Sequence, residues 1–134
     1  MSDEVVRRRV AAFFTTIAED LEAVDALTSL GNRLAAYHMQ QALEKLTKAA
    51  LLSQGIEAGI EHRLDVLLRR LPDGDACRTR LWPLRGYSTY ATAFRYPTPG
   101  GRLVDAPPRE QLAGDLKALR EHVEVMFAVL IPKT

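Results

Sequence analysis

The residues most able to do chemistry lie in one row on a single predicted helix. His38, Gln41, Lys45 and Lys48 follow one another at intervals of three and four positions. Because an α-helix turns once in about 3.6 residues, these side chains share one face. An imidazole in line with two ammonium groups can bind a phosphate or a partner's carboxylate. A solvated face beside the core explains the same pattern, so the row alone leaves both interpretations open.

A second set combines tyrosines with an arginine ahead of Pro97. Its members are Tyr87, Tyr90, Arg95 and Tyr96. Aromatic rings interleaved with arginine can stack a base and hold a phosphate. Tyrosines at such spacings are more often core residues whose hydroxyl reaches the surface. We keep Arg95 and Tyr96 as candidate ligand-binding residues near the row on the helix.

The charge of the chain is close to neutral but unevenly distributed. Residues 1–61 carry a net charge of −3, residues 62–109 carry +5, and residues 110–134 carry −1. All nine cations of the middle segment are arginines. The planar guanidinium suits phosphate because it donates two parallel hydrogen bonds. Solvation of an ordinary helical surface is the simpler explanation, since the whole chain shows no bias towards nucleic acid.

The elements that position these residues are all predicted to be helices. Apolar residues recur at intervals of three and four through most of the chain, and Gly31 and Asn32 separate the first two stripes. The long helices are expected at about residues 3–30, 33–53, 57–71 and from Pro108 onward, with a short helix at about 84–94. This pattern predicts an all-α protein, an up-and-down bundle of four long helices plus a short one. We expect a single domain over residues 1–134.

Several classes of protein are disfavoured by what the sequence lacks. Cys77 is the only cysteine, so an intrachain disulfide and a cysteine-based zinc site are excluded. We find no glycine-rich phosphate loop, paired-carboxylate metal site or nucleophile elbow, and we expect no metal or cofactor. The longest apolar run, residues 125–131, is much shorter than the ~20 residues of a membrane span. We expect a cytoplasmic protein without a membrane segment.

Three segments together resemble the HEPN domain family of small helical proteins. The first is Tyr37–Ala49, which contains the polar row. The second is His62-Arg63-Leu64 followed by Leu67-Leu68, and the third is Tyr90 followed by Phe94-Arg95-Tyr96-Pro97. The first segment is the most specific because both its order and its content match, and the resemblance covers roughly residues 10–130.

The resemblance implies a helical bundle that forms a homodimer and acts in a toxin–antitoxin or defence system. Many members of the family work beside a separately encoded minimal nucleotidyltransferase. Members without a catalytic motif are thought to bind nucleotides or to serve as interaction modules. We therefore expect a nucleotide- or RNA-associated module in which His38, Gln41, Lys45 and Lys48 form one wall of the ligand site.

Other members are metal-independent endoribonucleases that use an arginine, four to six intervening residues and a histidine. Arg33 and His38 have four residues between them and are the candidate catalytic pair of this alternative. The surroundings depart from the family pattern, because Leu34 follows the arginine, Gln40 replaces a frequent tyrosine, and the pair lies early in the chain. Five positions along a helix also turn the two side chains about 140° apart. A structural dimerisation bundle without a ligand is the remaining alternative.

Overall fold

Every regular element in the described part of the protein is a helix. The computed structural model describes residues 1–92 and 96–132, and no strand occurs within them. The elements are α1 (Asp3–Ser29), α2 (Leu34–Ser53), α3 (Leu64–Arg69), α4 (Ala76–Leu81), a 3₁₀ helix (Trp82–Ala91) and α5 (Arg109–Leu130). The all-α helical class expected from the sequence is confirmed. No helix in the described part of the chain is long and apolar enough to cross a membrane.

A tight connection folds α2 back along α1, as expected from Gly31. Its φ of 68° is a left-handed conformation that glycine adopts without strain. The side chain of Asn32 then accepts a hydrogen bond from the backbone N–H of Leu34 at 2.9 Å, which satisfies one free donor at the start of α2. At the end of α1, the guanidinium of Arg109 donates to the Thr28 carbonyl oxygen at 3.0 Å. The start of α5 is thereby tied to the end of α1.

Helix α2 is the centre of the fold. It packs against all five other elements, and twelve of its twenty residues are buried. Small side chains on one side of α2, such as Ala35, Ala42 and Ala49, let the neighbouring helices approach closely. Larger residues complete the same core, among them Ile17 of α1 and Leu119 of α5. Because neighbours surround α2, its polar side chains also contact other protein groups.

Helix α3 is shorter than the expected helix at residues 57–71. It spans only Leu64–Arg69, and the chain before it is irregular. Gly59 has a φ of 63°, which interrupts helical geometry, and Arg63 is extended. Ile60, counted in the expected apolar stripe, is 91% exposed. The apolar periodicity therefore predicted helix over residues 57–63 where none forms. Glycine adopts a left-handed conformation without strain, and that conformation at Gly59 is incompatible with an α-helix.

The expected short helix at residues 84–94 is a 3₁₀ helix at Trp82–Ala91. Its later part cannot be compared, because Phe94 lies outside the described residues. Pro83 lacks a backbone N–H and Gly86 has a low helix propensity, so this segment gains little from regular α-helical hydrogen bonding. Leu84 and Tyr87 nevertheless reach the core. The tighter helix places their side chains inside while keeping the chain against α2.

Candidate functional site

One carboxylate of α1 joins two members of the polar row on α2. Oδ1 of Asp20 lies 3.0 Å from Nδ1 of His38, and Oδ2 accepts a hydrogen bond from Nζ of Lys45 at 2.7 Å. The Asp20 side chain is only 10% exposed. The row is therefore not a bare solvated face, because its histidine and its first lysine share a buried anion.

Asp20 was not predicted from the sequence as a site residue, although its position among apolar residues indicates a role. It lies three positions after Ile17 and four before Val24, which are both in the core stripe of α1. A charged residue within an apolar stripe is expected to have a charged partner, because an unpaired buried charge is strongly unfavourable. The stripe could therefore have indicated that Asp20 faces α2.

A second carboxylate, that of Glu44, organises the other half of the row. Its side chain, 9% exposed, accepts a hydrogen bond from Nζ of Lys48 at 3.2 Å. Nδ1 of His62, in the segment before α3, lies 3.1 Å and 3.2 Å from the two carboxylate oxygens. Glu44 thus pairs with a lysine and a histidine, just as Asp20 does. Neither Glu44 nor His62 is among the site residues predicted from the sequence.

Two glutamines complete this second group. The amide of Gln40, which is fully buried, donates to Oε1 of Glu44 at 2.9 Å and to the His62 carbonyl oxygen at 3.4 Å. Gln41 of the row donates to Oε1 of Gln40 at 2.7 Å. The row residues Gln41 and Lys48 are therefore linked through Gln40 and Glu44, whereas His38 and Lys45 are linked through Asp20.

The contact with Asp20 also sets the hydrogen-bonding state of His38. An ionised carboxylate only accepts hydrogen bonds, so the contact requires a proton on Nδ1 of the ring. In the neutral imidazole the lone pair is then on Nε2. The ring is half-buried and its edge packs against Tyr37, with ring centroids 5.2 Å apart. This arrangement orients an imidazole with a free basic nitrogen, as general acid–base chemistry requires.

The two lysines of the row also border a cleft between α1 and α2. It has a volume of about 660 Å³ and is closed at one end by the segment after α2. Arg9, Glu44 and Glu57 contribute the other charged groups, and apolar side chains form the rest of its wall: Val6, Phe13, Leu52 and Ile56. The lining includes neither His38 nor Gln41. The structure thus divides the predicted wall, with the lysines at the cleft and His38 beside it.

The tyrosine set separates into buried and exposed members. Tyr87 is buried, and its hydroxyl donates to Oδ2 of Asp115 at 2.5 Å. Burial, reinforced by the Asp115 carboxylate, raises the pKa of Tyr87 well above its usual value. Tyr90 packs beside it with ring centroids 5.7 Å apart, whereas Tyr96 is 80% exposed in the following loop. Arg95 lies outside the described residues.

The candidate catalytic pair occupies the start of α2. Arg33 immediately precedes the helix and is half-buried, and His38 lies more than one turn further on. A role for the two together stays a prediction. No group of three or more histidine, cysteine or acidic side chains that could hold a metal ion is found among residues 1–92 and 96–132.

These features define the class as a small helical bundle whose central helix carries paired polar groups beside a ligand-sized cleft. The HEPN domain family model matches residues 17–126. The chain therefore belongs to the HEPN domain family, as the three sequence segments indicated. Domains of this family commonly form dimers. No curated protein and no solved structure gives a match.

We predict that Asp20 and Lys45 are strongly coupled in folding stability. A double-mutant cycle with Asp20→Asn and Lys45→Met should give a coupling free energy of roughly 1–3 kcal/mol, because the pair is shielded from solvent. Urea denaturation followed by circular dichroism measures it. The Asp73–Arg78 pair is a control of similar length, 2.7 Å, whose carboxylate is fully exposed. Its coupling should be near zero, and equal coupling in both cycles would contradict the prediction.

Proposed function

We propose that this protein is a nucleotide- or RNA-binding module of a toxin–antitoxin or defence system, acting beside a separately encoded nucleotidyltransferase. The observation that carries the proposal is the cleft between α1 and α2, which Lys45, Lys48 and Arg9 border. Its volume of about 660 Å³ falls in the range of small-molecule sites, roughly 300–1,000 Å³. Membership of the HEPN family supports the association with nucleotides and RNA.

The lining of the cleft suits the two halves of a nucleotide. Phe13, Leu52 and Ile56 give an apolar surface against which a base can pack. Arg9 and the two lysines supply N–H donors for phosphate oxygens. Glu57 on the rim can accept hydrogen bonds from a ribose hydroxyl or an exocyclic amine. Ligand sites commonly combine apolar surface with charged groups that fix the orientation of the ligand.

The internal ion pairs do not prevent the lysines from binding a phosphate. An ammonium group has three N–H donors, and a hydrogen bond to one carboxylate uses only one of them. Asp20 and Glu44 instead hold Nζ of Lys45 and Nζ of Lys48 in place at 2.7 Å and 3.2 Å. Less side-chain entropy is then lost when a ligand binds, because the lysines are already ordered.

We predict that reversing the charge of Arg9 weakens nucleotide binding about tenfold, which corresponds to about 1.4 kcal/mol. Isothermal titration calorimetry with ATP, GTP and a short RNA measures the effect of Arg9→Glu. Arg9 is exposed and makes no ion pair within the described residues, so the variant leaves the Asp20 and Glu44 groups intact.

Arg8→Glu is the matched control for this measurement. Arg8 is the neighbouring residue on α1, is equally exposed, and does not line the cleft. The two variants have the same net charge, so their difference isolates the local effect. Absence of heat at millimolar nucleotide, or equal weakening by both variants, would refute the cleft as the ligand site.

A second candidate function, metal-independent cleavage of RNA, is favoured by the Asp20–His38 contact. In this reaction Nε2 of His38 takes the proton of a 2′-hydroxyl, whose oxygen attacks the adjacent phosphorus. The bond from phosphorus to the 5′-oxygen breaks, and the imidazolium returns the proton to that oxygen. The products are a 2′,3′-cyclic phosphate and a 5′-hydroxyl. Arg33 would stabilise the charge that develops on the phosphate.

For this candidate we predict that His38→Asn lowers the rate of RNA cleavage about 10²–10⁴-fold. The asparagine amide can still donate to Asp20, so the buried carboxylate keeps a partner while the basic nitrogen is lost. Cleavage of a labelled RNA in the presence of EDTA measures the rate. His122→Asn, on α5 beside Arg80, is the control and should cleave normally. Activity that survives His38→Asn, or that EDTA abolishes, rules this mechanism out.

We also propose that two copies of the chain form a homodimer through the outer groove between α1 and α5. The groove contains Ala11, Phe14, Val123 and Phe127, and the last of these is half-exposed. Phe14 and Phe127 meet edge to face, with ring centroids 5.2 Å apart. A twofold axis through this groove would bury the same apolar side chains on both copies. The common dimerisation of HEPN domains makes a second copy the expected occupant.

We predict that Thr15→Arg converts the dimer to a monomer. Thr15 is exposed at the edge of the groove, so the long charged side chain obstructs a partner without removing a core contact. Analytical ultracentrifugation measures the mass in solution. Ala26→Arg is the control, three turns along the same helix at another exposed position. A monomeric wild-type protein, or a Thr15→Arg variant that dimerises as tightly as wild type, would contradict this interface.

A further inference from the structure

Three arginines from three different elements surround one tryptophan. The guanidinium carbon of Arg85 lies 4.3 Å from the centroid of the Trp82 ring, that of Arg69 5.3 Å, and that of Arg78 5.9 Å. They come from the 3₁₀ helix, α3 and α4, respectively. We refer to these four residues as the arginine–tryptophan cluster.

The surroundings of the cluster are positively charged. Residues 63–85 contain six arginines and three aspartates, a net charge of +3. Two of these aspartates form ion pairs. Asp65 pairs with both Arg63 and Arg69, and Asp73 pairs with Arg78. Neither carboxylate neutralises more than one positive charge. Glu61 lies beside Arg63 and Arg70, and with it the segment keeps a net charge of +2 over residues 61–85.

The third aspartate of the segment is engaged elsewhere. Oδ1 of Asp75 accepts hydrogen bonds from the backbone N–H groups of Cys77 and Arg78, and so caps α4. Oδ2 of the same carboxylate accepts from the side chain of Gln54 at 2.8 Å. The Asp75 carboxylate is thus oriented by the backbone of α4 and by Gln54, and forms no ion pair with a guanidinium of the cluster.

Arg85 is the most available member of the cluster. It is exposed and makes no ion pair within the described part of the chain. One nitrogen, Nη1, donates to the Trp82 carbonyl oxygen at 3.0 Å, which fixes the guanidinium near the ring. A guanidinium has five N–H donors, so this hydrogen bond leaves most of them for a ligand.

The ion pairs of the protein account for two of the three arginines, because Asp65 pairs with Arg69 and Asp73 pairs with Arg78. Arg85 has no such pair among the described residues, although one cation near the ring is enough for a cation–π contact. Its planar guanidinium can bind two phosphate oxygens at once. The flat faces of arginine and tryptophan also stack on nucleobases, which an acidic protein segment cannot exploit.

We propose that the arginine–tryptophan cluster binds single-stranded nucleic acid. Arg69 and Arg85 bind successive phosphates, and a base stacks on the planar groups around Trp82. The cluster shares no residue with the cleft between α1 and α2, so this surface does not depend on the nucleotide site proposed above. It provides a second contact for an RNA whose end or nucleotide occupies that cleft.

The only tryptophan of the chain provides a direct test, because its fluorescence reports on Trp82 alone. Titration with oligouridylate and with oligothymidylate should change the emission in a saturable manner. The logarithm of the binding constant should fall with the logarithm of salt concentration by about 0.7 for each phosphate contact. Tighter binding of oligouridylate than of oligothymidylate would identify RNA as the ligand, and equal binding would support single strands in general.

Variants localise the binding. Arg85→Gln and Arg69→Gln should each weaken binding about tenfold, because each removes a phosphate contact and a stacking surface. Arg102→Gln is the matched control, an exposed arginine in the loop before α5, and should bind as wild type does. Because the cluster variants alter the surroundings of Trp82, anisotropy of a labelled oligonucleotide provides an independent measurement of affinity.

The proposal fails if no oligonucleotide binds, or if Arg85→Gln and Arg102→Gln bind equally. It also fails if polyglutamate binds as tightly as oligouridylate with the same sensitivity to the variants, since the surface would then recognise an acidic protein. These results are distinguishable from failure of the nucleotide cleft. The Arg9→Glu variant should weaken ATP binding but leave oligonucleotide binding at the cluster unchanged, and Arg85→Gln should do the reverse.

Discussion

The structure depends on the enclosure of α2 by every other helix. A helix in this position has no face for unpaired charges, because a buried charge without a partner costs several kcal/mol. Asp20 and Glu44 meet this requirement by pairing with the histidines and lysines around them. Since Asp20 has to contact both His38 and Lys45, the pairing favours one rotation of α2 and one register against α1.

The same pairing prepares the polar groups for chemistry. His38, Lys45 and Lys48 are each anchored on one side by a carboxylate and are partly exposed on the other. Anchored side chains lose less entropy when they bind a ligand than mobile surface lysines do. The segment before α3 contributes as well, because its irregular path brings His62 to Glu44. The late start of α3 at Leu64 therefore has a structural consequence at the site.

Charged residues are arranged differently in residues 1–61 and in the middle segment, residues 62–109. In residues 1–61 the net charge is −3, but two of the acidic groups are turned inward to partners on α2. In the middle segment six of the nine arginines lie in or next to α3, α4 and the 3₁₀ helix, and three of these six surround Trp82. Groups of cations thus occur both beside the cleft and around Trp82.

The sequence by itself determined the helical class, the turn at Gly31, the family, and the alignment of His38, Gln41, Lys45 and Lys48 on one face. These features depend on local periodicity, on the conformational freedom of glycine, and on segments that can be compared directly. Only the tertiary structure decided that Asp20 pairs with the row, because Asp20 is 18 positions from His38 and 25 from Lys45. It also decided that α3 begins at Leu64 and that Trp82 collects arginines from three elements. Periodicity along one helix indicates which residues share a face, but the partners of that face are set by how the helices pack.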